Sequence, residues 1–362
     1  MVIKKVNSFG EYVLAVAEVA KSDDKSSGKT QPEVLWFRGQ SQKRFDLIPS
    51  LYRVNGIFDD NDIGTKYTKR HYAEDIRVQN YIAKNYHYYD KLPTSRVQWL
   101  EVMQHHEMKT RVLDWSESSI HSVLFALEPF LDHKKYTTDT RRHQSPCVWV
   151  LKPQKLNREL FKCLLNNTDL CEELSGELHF KKELLDETIK KTGRQLENFI
   201  KMGDEGKDVW HIQEIINLSA INDELNRDRF RIRTMIEKEE FFPLFYFLSR
   251  VYSDGYLLKD RLLCPLAVVE PYHSERIRSQ RGVFTVFPHY KEKDGDNSLR
   301  KLGIDPNAMQ RNDIAKDALM LIELERPENI AYELLSNGIQ PSWLYPELPI
   351  VASELEGHRI FD

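Results

Sequence analysis

The sequence predicts an α+β fold, with strands scattered among helices. Three short apolar segments are typical of strands, at 33–37 (EVLWF), 147–151 (CVWVL) and 317–324. The segments between them have the spacing of apolar residues expected for helices, and no GxGxxG follows a strand. Because strands and helices do not alternate regularly, we expect a mixed sheet flanked by helices rather than a doubly wound parallel sheet.

The chain divides into four parts by composition and pattern. Residues 1–32 predict an N-terminal helix, with Ser8 as its N-cap, and a polar loop. Residues 33–156 form the first part of the core and residues 236–362 the second part. Between them, 157–235 is rich in Glu and Lys with little strand character, which indicates a helical insertion.

Composition limits the class of protein. Charged residues make up 30% and hydrophobic residues 41% of the 362 residues, as in soluble globular proteins. Apolar runs stay short of the ~20 residues that span a bilayer, and Glu11 and Glu18 interrupt the N-terminal apolar segment that a signal peptide requires. The four cysteines form no CxxC pair, so we expect free thiols in a cytoplasmic protein.

The segment 103–127 carries the highest density of chemically useful side chains. Gln104, His105, Thr110, Arg111 and Asp114 precede an apolar stretch with helical spacing. Polar residues directly before a buried helix indicate a binding or reaction centre that the core supports. Two plainer roles remain open here: Asp114 or Ser116 caps the following helix, or Asp114 pairs with Arg111.

Adjacent histidines do not predict a metal site. His105 and His106 point in different directions on a helix or a strand, so they cannot easily hold one ion, and no HExxH motif accompanies them. We therefore predict no metal. A hydrogen bond from His105 to a ribose hydroxyl or a phosphate is the preferred interpretation.

A second polar group follows the predicted strand 33–37. Arg38 is placed at the strand end, where its fork of donors suits a phosphate or a carboxylate, and Gly39 lets a backbone or a ligand approach closely. A structural arginine is the competing interpretation. Between the two polar groups, 65–86 predicts a helix with many Tyr, His and basic residues, which either contacts nucleic acid or is ordinary surface.

These residues resemble the FRG domain family. The tripeptide Phe37-Arg38-Gly39 gives the family its name, and the later motifs follow in the family's order over about 33–355, interrupted by the insertion. They are 49–53 (PSLYR), Gln104-His105, 110–116 (TRVLDWS), Phe125-Ala126, 276–284 (RIRSQRGVF) and 345–348 (YPEL). The family usually has Gly and Pro where this chain has Glu107 and Lys109, so this loop is expected to be less rigid or adapted to another substrate.

The order of the family's motifs is similar to that of ADP-ribosyltransferases. The resemblance implies a split mixed sheet and NAD as a substrate. Arg38 would hold the pyrophosphate, His105 a ribose hydroxyl, and Gln280 the reacting ribose or acceptor. A Gln cannot act as a general base, so Glu270 or Glu275 would take the proton. The implied catalytic residues are Arg38, Gln280 and Glu275, and the implied NAD-binding residues are Arg38, Gly39, Gln40, His105, Thr110, Arg111 and Asp114.

Two functions from different classes follow from the resemblance. The favoured one is an NAD-dependent ADP-ribosyltransferase that modifies RNA, DNA or protein. Such transferases often serve as bacterial toxins or antiphage effectors, which implies an antitoxin or regulatory protein as a partner. The alternative is a non-catalytic module that recognises a nucleotide or a phosphorylated partner through Arg38.

Overall fold

A seven-stranded mixed sheet forms the centre of the protein. The computed structural model describes residues 2–21, 32–53, 74, 76–89, 92–93, 96–131, 143–166, 252, 257–258, 264–270, 272, 274–290 and 308–345. The strand order is β1-β9-β4-β2-β3-β7-β6, in which β1 and β9 are parallel and the other neighbours are antiparallel. The strands are β1 (Val2–Val6), β2 (Trp36–Gln40), β3 (Val112–Ser116), β4 (Cys147–Leu151), β6 (Leu266–Val268), β7 (Gly282–Val286) and β9 (Leu319–Leu324), with β5 (Leu257–Leu258) and β8 (His289–Tyr290) in a separate parallel pair.

Helices cover both faces of the sheet. The described helices are α1 (Phe9–Val19), α2 (Arg96–His105), α3 (Ser119–Leu131), α4 (Pro153–Asn166), α5 (Glu275–Ser279) and α6 (Pro327–Ser336), and residues 76–85 are also helical. One face of the sheet packs against α1, α3 and α6 around Phe37, Leu124 and Ile322. The other face packs against α2 and α4 around Trp36, Leu100 and Leu156.

Local sequence sets several element ends. Ser8 caps α1 and accepts a hydrogen bond from the Glu11 backbone N–H at 3.1 Å, as predicted. Ser116 accepts from the Ser118 N–H at 2.9 Å just before α3, while the Asp114 side chain bonds elsewhere. The N-cap of α3 is Ser118, whose Oγ accepts from the His121 N–H at 3.3 Å, so the prediction of Asp114 or Ser116 as the cap is wrong.

The sheet opens between β2 and β3. These two strands pair in register at Phe37 and Ser116, whereas β2 pairs with β4, and β3 with β7, over five positions each. Past Phe37 the two strands diverge, so backbone groups on their facing edges are available to side chains. The residues of the two polar motifs meet at this opening.

The structure agrees with the predicted mixed sheet and corrects several details. The strand expected at 33–37 lies at Trp36–Gln40, and the N-terminal part supplies edge strand β1 in addition to the predicted helix. Most of the predicted insertion, 167–235, lies outside the described residues. In the part of the chain that the structure describes, helices are too short or too polar to cross a membrane.

Candidate functional site

Arg38 lies in the middle of a central strand. It pairs in register with Trp149 of β4, so the expectation that it ends the strand is wrong. Its guanidinium fills the opening between β2 and β3, where Nη1 donates to the backbone carbonyl of Asp114 at 2.6 Å. The guanidinium thus supplies a hydrogen bond to a β3 carbonyl that lacks a partner on β2, so the separation of the two strands does not leave this carbonyl unsatisfied.

The guanidinium of Arg38 is incompletely paired. Its Nε is buried and has no hydrogen-bond partner among the described residues, although the residue as a whole is half-buried. Burial lowers the pKa of Arg38 to about 10, the Asp114 carboxylate opposes this shift, and the charge of Arg53 adds to it. A cation held in a desolvated place next to another cation is prepared to bind an anion.

Arg53 provides this second cation. Its Nε donates to the Ile48 carbonyl at 3.0 Å, which positions the side chain, and burial lowers its pKa while Asp114 opposes the shift. Two guanidiniums, Arg38 and Arg53, therefore share the field of one exposed carboxylate, Asp114. Arg53 belongs to the PSLYR motif, but sequence reasoning did not assign it to the site because nothing in that motif shows its distance from Arg38.

Hydrogen bonds fix the carboxylate of Asp114. The Gln104 side-chain amide donates to Asp114 Oδ1, and the Thr110 hydroxyl donates to the amide oxygen of Gln104. Ser50 closes the arrangement, since its Oγ accepts from the Thr110 N–H at 3.1 Å. Gln104, Thr110 and Asp114 thus form one network beside the two arginines, which we call the Arg38 cluster together with Arg38 and Arg53.

Two buried carboxyl groups lie behind the Arg38 cluster. Glu101, one helical turn before Gln104 in α2, is 2% exposed, and its Oε1 has no hydrogen-bond partner among the described residues. Burial raises its pKa well above the ordinary value, and the charges of Glu270 and Asp114 raise it further. Glu270 is 4% exposed and accepts from the Gln98 amide at 3.3 Å. Buried acids with raised pKa values are frequent at reaction centres.

Sequence reasoning missed Glu101, although a signal was present. It interrupts the run Trp99, Leu100, Val102 and Met103, all of which are buried in α2. A carboxylate inside an apolar run of a helix indicates either a paired buried charge or a functional acid. Only the structure shows that its neighbours are Glu270 and Asp114 rather than a cation.

The loop that follows α2 has a strained residue. Glu107 has φ 62°, a left-handed conformation that favours glycine. The Glu107 N–H donates to the Gln104 carbonyl at 2.9 Å and the Met108 N–H to the Met103 carbonyl at 3.0 Å, which together form a Schellman cap. The family's usual Gly therefore has a local explanation, and the same turn positions Thr110.

Gly39 and Gln40 face protein rather than open space. A Cβ on Gly39 would lie 1.8 Å from the Ser122 carbonyl oxygen, so the missing side chain admits the backbone of α3. Gln40 is buried, and its Oε1 accepts from the Trp149 indole N–H at 2.9 Å. The expectation that both contact NAD directly is not supported by these positions. Gln40 instead holds Trp149, which lies next to Arg38 on the sheet.

Arg111 is a structural residue in this arrangement. It is fully buried, its Nε donates to Glu74 at 3.1 Å, and its Nη1 donates to the Phe287 carbonyl at 2.8 Å. The predicted alternative of a pair with Asp114 is therefore wrong, because the partner is Glu74. A fully enclosed guanidinium cannot contact NAD, so its assignment as an NAD-binding residue is corrected.

His105 lies at the edge of the Arg38 cluster. It is the last residue of α2, directly after Gln104, and is half-buried. Its ring contacts that of His106 edge to face, with centroids 5.1 Å apart. In the described part of the chain, no three His, Cys, Asp or Glu side chains are grouped so that they could hold a metal ion.

Gln280 and Glu275 are not brought to the Arg38 cluster. The Gln280 side-chain amide donates to the Leu344 backbone carbonyl at 2.9 Å, and the Gln280 backbone carbonyl accepts from Ser116 Oγ at 2.7 Å. The Glu275 side chain is 87% exposed and pairs with Arg278 at 3.6 Å. These contacts give Gln280 a role in joining the C-terminal segment to the sheet and leave Glu275 on the surface. Of the two glutamates considered as a base, Glu270 is the one near the site.

Comparison with known proteins identifies one domain. Residues 33–135 match the family model described as the FRG domain. The matched segment runs from β2 to just past the end of α3, so it includes the whole Arg38 cluster and Glu101 but not Glu270 or Gln280. Neither the curated proteins nor the solved structures include a match to this chain.

Proposed function

We propose that this member of the FRG domain family is an NAD-dependent ADP-ribosyltransferase. The observation that carries the proposal is the pair of guanidiniums opposed by the carboxylate of Asp114: Arg38, whose Nε is buried without a hydrogen-bond partner among the described residues, and Arg53, which is exposed. Glu101, whose buried carboxyl group has a raised pKa, offsets this positive charge less than an ordinary glutamate would. This surplus of positive charge favours the binding of an anion with several oxygens, such as the pyrophosphate of a dinucleotide.

The opening between β2 and β3 supports the same proposal. A substrate held by Arg38 at this opening lies beside Asp114 and Gln104, whose side chains are fixed by hydrogen bonds to each other and, for Gln104, to the Thr110 hydroxyl. Thr110 itself is fully buried, so the expectation that it contacts NAD is not supported. Fixed polar groups can orient the ribose without a reorganisation cost when the reaction occurs. The family resemblance implies a split mixed sheet, and the short pairing between β2 and β3 is the place in the continuous sheet that supports this expectation.

The chemistry requires one proton acceptor. In ADP-ribosyl transfer, the bond between the ribose carbon and the nicotinamide nitrogen breaks, and its electron pair leaves with nicotinamide. The acceptor's nucleophilic atom bonds to the same carbon and loses a proton. We assign the acceptance of this proton to Glu270, in place of Gln280 and Glu275. Glu270 is buried close enough to Glu101 for their charges to interact, and the raised pKa of Glu101 favours its protonated form, so Glu270 is the group of the two that serves as the carboxylate.

The decisive experiment is an intact-mass measurement of acceptors. RNA, DNA and protein are incubated separately with the full chain and NAD, and free nicotinamide is measured in parallel. We expect one acceptor class to gain the mass of ADP-ribose with matching release of nicotinamide. Arg38→Lys keeps the charge but loses the fork, and should weaken NAD binding and transfer at least tenfold, about the value of one charge-assisted bond. Arg278→Lys, on the exposed surface of α5, is the matched control and should change neither.

A non-catalytic binding module remains the second candidate, and one observation favours it. Gln280 and Glu275, the late residues of the implied catalytic set, make other contacts. For a binding module, calorimetry would show a nucleotide or phosphopeptide bound with dependence on Arg38, while nicotinamide release and acceptor mass stay unchanged. That pair of results would replace the transferase proposal.

A role as toxin or antiphage effector, with a regulatory partner, is tested by growth arrest on expression of wild type but not of Arg38→Lys.

A further inference from the structure

A row of aromatic side chains leads away from the Arg38 cluster, which we call the aromatic band. It begins at His105 and His106, directly after Gln104, and continues through Tyr81, whose ring centroid lies 6.3 Å from that of His106. Tyr81 shares a hydrogen bond of 2.8 Å with Tyr89. The exposed end of the band is formed by His87 and Tyr88, with ring centroids 4.0 Å apart. The band thus connects the candidate site with open surface.

The inner rings of the band are held firmly. Tyr81 and Tyr89 contact Trp99 of α2 edge to face, with centroids 6.2 and 5.6 Å away. Burial and the bond to Tyr89 raise the pKa of Tyr81, so its hydroxyl stays neutral. By contrast Tyr88 is 75% exposed, and His106 is also exposed. A large aromatic side chain that is fixed at its base and open at its face is suited to stacking.

Basic residues accompany the band. Arg77 and Lys84 lie four residues before and three after Tyr81 in the helical segment 76–85, so all three share one side of the helix. Lys109 is exposed on the loop after α2, where Glu107 is the acidic neighbour. Cations near stacking rings are the combination that single-stranded nucleic acid requires, because bases stack on the rings and phosphates pair with the cations.

We propose that the aromatic band binds single-stranded nucleic acid and presents it to the Arg38 cluster as the acceptor. The acceptor role rests on the proposed transferase function, whereas the binding itself does not. Nucleic acid is favoured over a protein because the rings of the band are interleaved with histidines and Lys84. A protein interface instead centres on a contiguous apolar core from which charged residues are depleted.

Binding is tested without NAD, so that it is independent of the transfer reaction. Fluorescence anisotropy of a short single-stranded RNA, and of DNA of the same sequence, is titrated with the full chain at low salt. Loss of one stacking ring costs about 1–3 kcal/mol, so Tyr88→Ala should weaken binding about tenfold or more. Tyr332→Ala removes a ring of similar exposure, 71%, on α6 and should leave binding unchanged. Lys84→Ala should reduce the salt dependence of binding.

The outcomes separate this inference from the transferase proposal. The inference is overturned if neither the RNA nor the DNA binds at low salt, or if Tyr88→Ala and Tyr332→Ala lose equal affinity for them. Transfer of ADP-ribose to protein but not to nucleic acid overturns it as well and leaves the transferase proposal standing. Tyr88-dependent binding without any transfer supports the aromatic band as a nucleic-acid surface and overturns the transferase proposal instead.

Discussion

Replacing Gly39 with alanine tests why the central strand carries a glycine. The added Cβ would lie 1.8 Å from the Ser122 carbonyl oxygen and 2.7 Å from the Ala126 nitrogen, both of which are backbone atoms of α3. An ordinary contact is ~3.5 Å, so α3 would have to move by roughly 1.7 Å. A gap of ~1 Å already forfeits up to half of the dispersion energy of the contacts along it. The displacement therefore affects the whole interface between α3 and the sheet.

We expect Gly39→Ala to cost about 3 kcal/mol or more, at or above the upper end of the usual range for overpacked sites. That is a large fraction of the ~5–15 kcal/mol by which most domains are stable. Urea unfolding followed by circular dichroism measures the change as a lower midpoint with an unchanged slope. The variant should still bind nucleotide under conditions in which it is folded, because Arg38 is on the opposite face of β2.

A matched glycine elsewhere separates steric from conformational effects. Gly10 lies in the first turn of α1, and a Cβ there would approach the Ser8 hydroxyl to no closer than 3.9 Å. Gly10→Ala should stabilise the protein by about 0.5–1 kcal/mol, since alanine is the better helix former. If Gly39→Ala unfolds at the wild-type midpoint but no longer binds nucleotide, the glycine serves a ligand and the packing argument is refuted.

Three further changes test other parts of the structure. Glu74→Gln should cost ~3–5 kcal/mol in urea unfolding, because it leaves the fully buried guanidinium of Arg111 without its counter-charge; a loss under 1 kcal/mol would contradict this. Glu107→Gly should stabilise by ~1 kcal/mol, since it relieves the left-handed φ of 62° in the cap of α2, and an unchanged midpoint would contradict the strain. The pKa of Glu101 is raised in the folded state, so its contribution to stability declines as pH rises above the ordinary value of ~4.3. Unfolding measured from pH 4 to 8 should therefore show Glu101→Gln gaining on wild type as pH rises, and a constant difference would contradict the raised pKa.

Patterns of burial and capping were readable from the sequence because they depend on local physics. The strand at Cys147–Leu151 agrees with the prediction in both bounds, and the helix after Ser8 agrees in position. Gly338, which has φ 73° and closes a Schellman cap after α6, is a further feature of this local kind. Such features involve residues within a few positions of one another, so one sequence contains the necessary information.

The partners of charged side chains could not be read in the same way. Arg111 and Asp114 are three residues apart in the motif 110–116, yet Arg111 pairs with Glu74 and Asp114 bonds to Gln104. The choice depends on where the helical residue 74 packs against β3, which is a long-range property. Arg53 likewise reaches the Arg38 cluster only through the path of the chain after β2.

Residue types in the motifs indicate the candidate site more reliably than the individual roles predicted for them. The sequence predicts Arg38 at the end of a strand, and the structure places it in the middle of β2. Because β2 and β3 pair at only one position, its guanidinium still reaches the backbone carbonyl of Asp114 on the edge of β3. Gln280 was selected by its order in the chain and instead holds Leu344. Meanwhile Glu101, which no motif marked, has the burial and the acidic neighbours that acid–base chemistry requires. Motif order thus predicts the region of the candidate site, while the geometry of the short β2–β3 pairing determines which of its side chains are exposed.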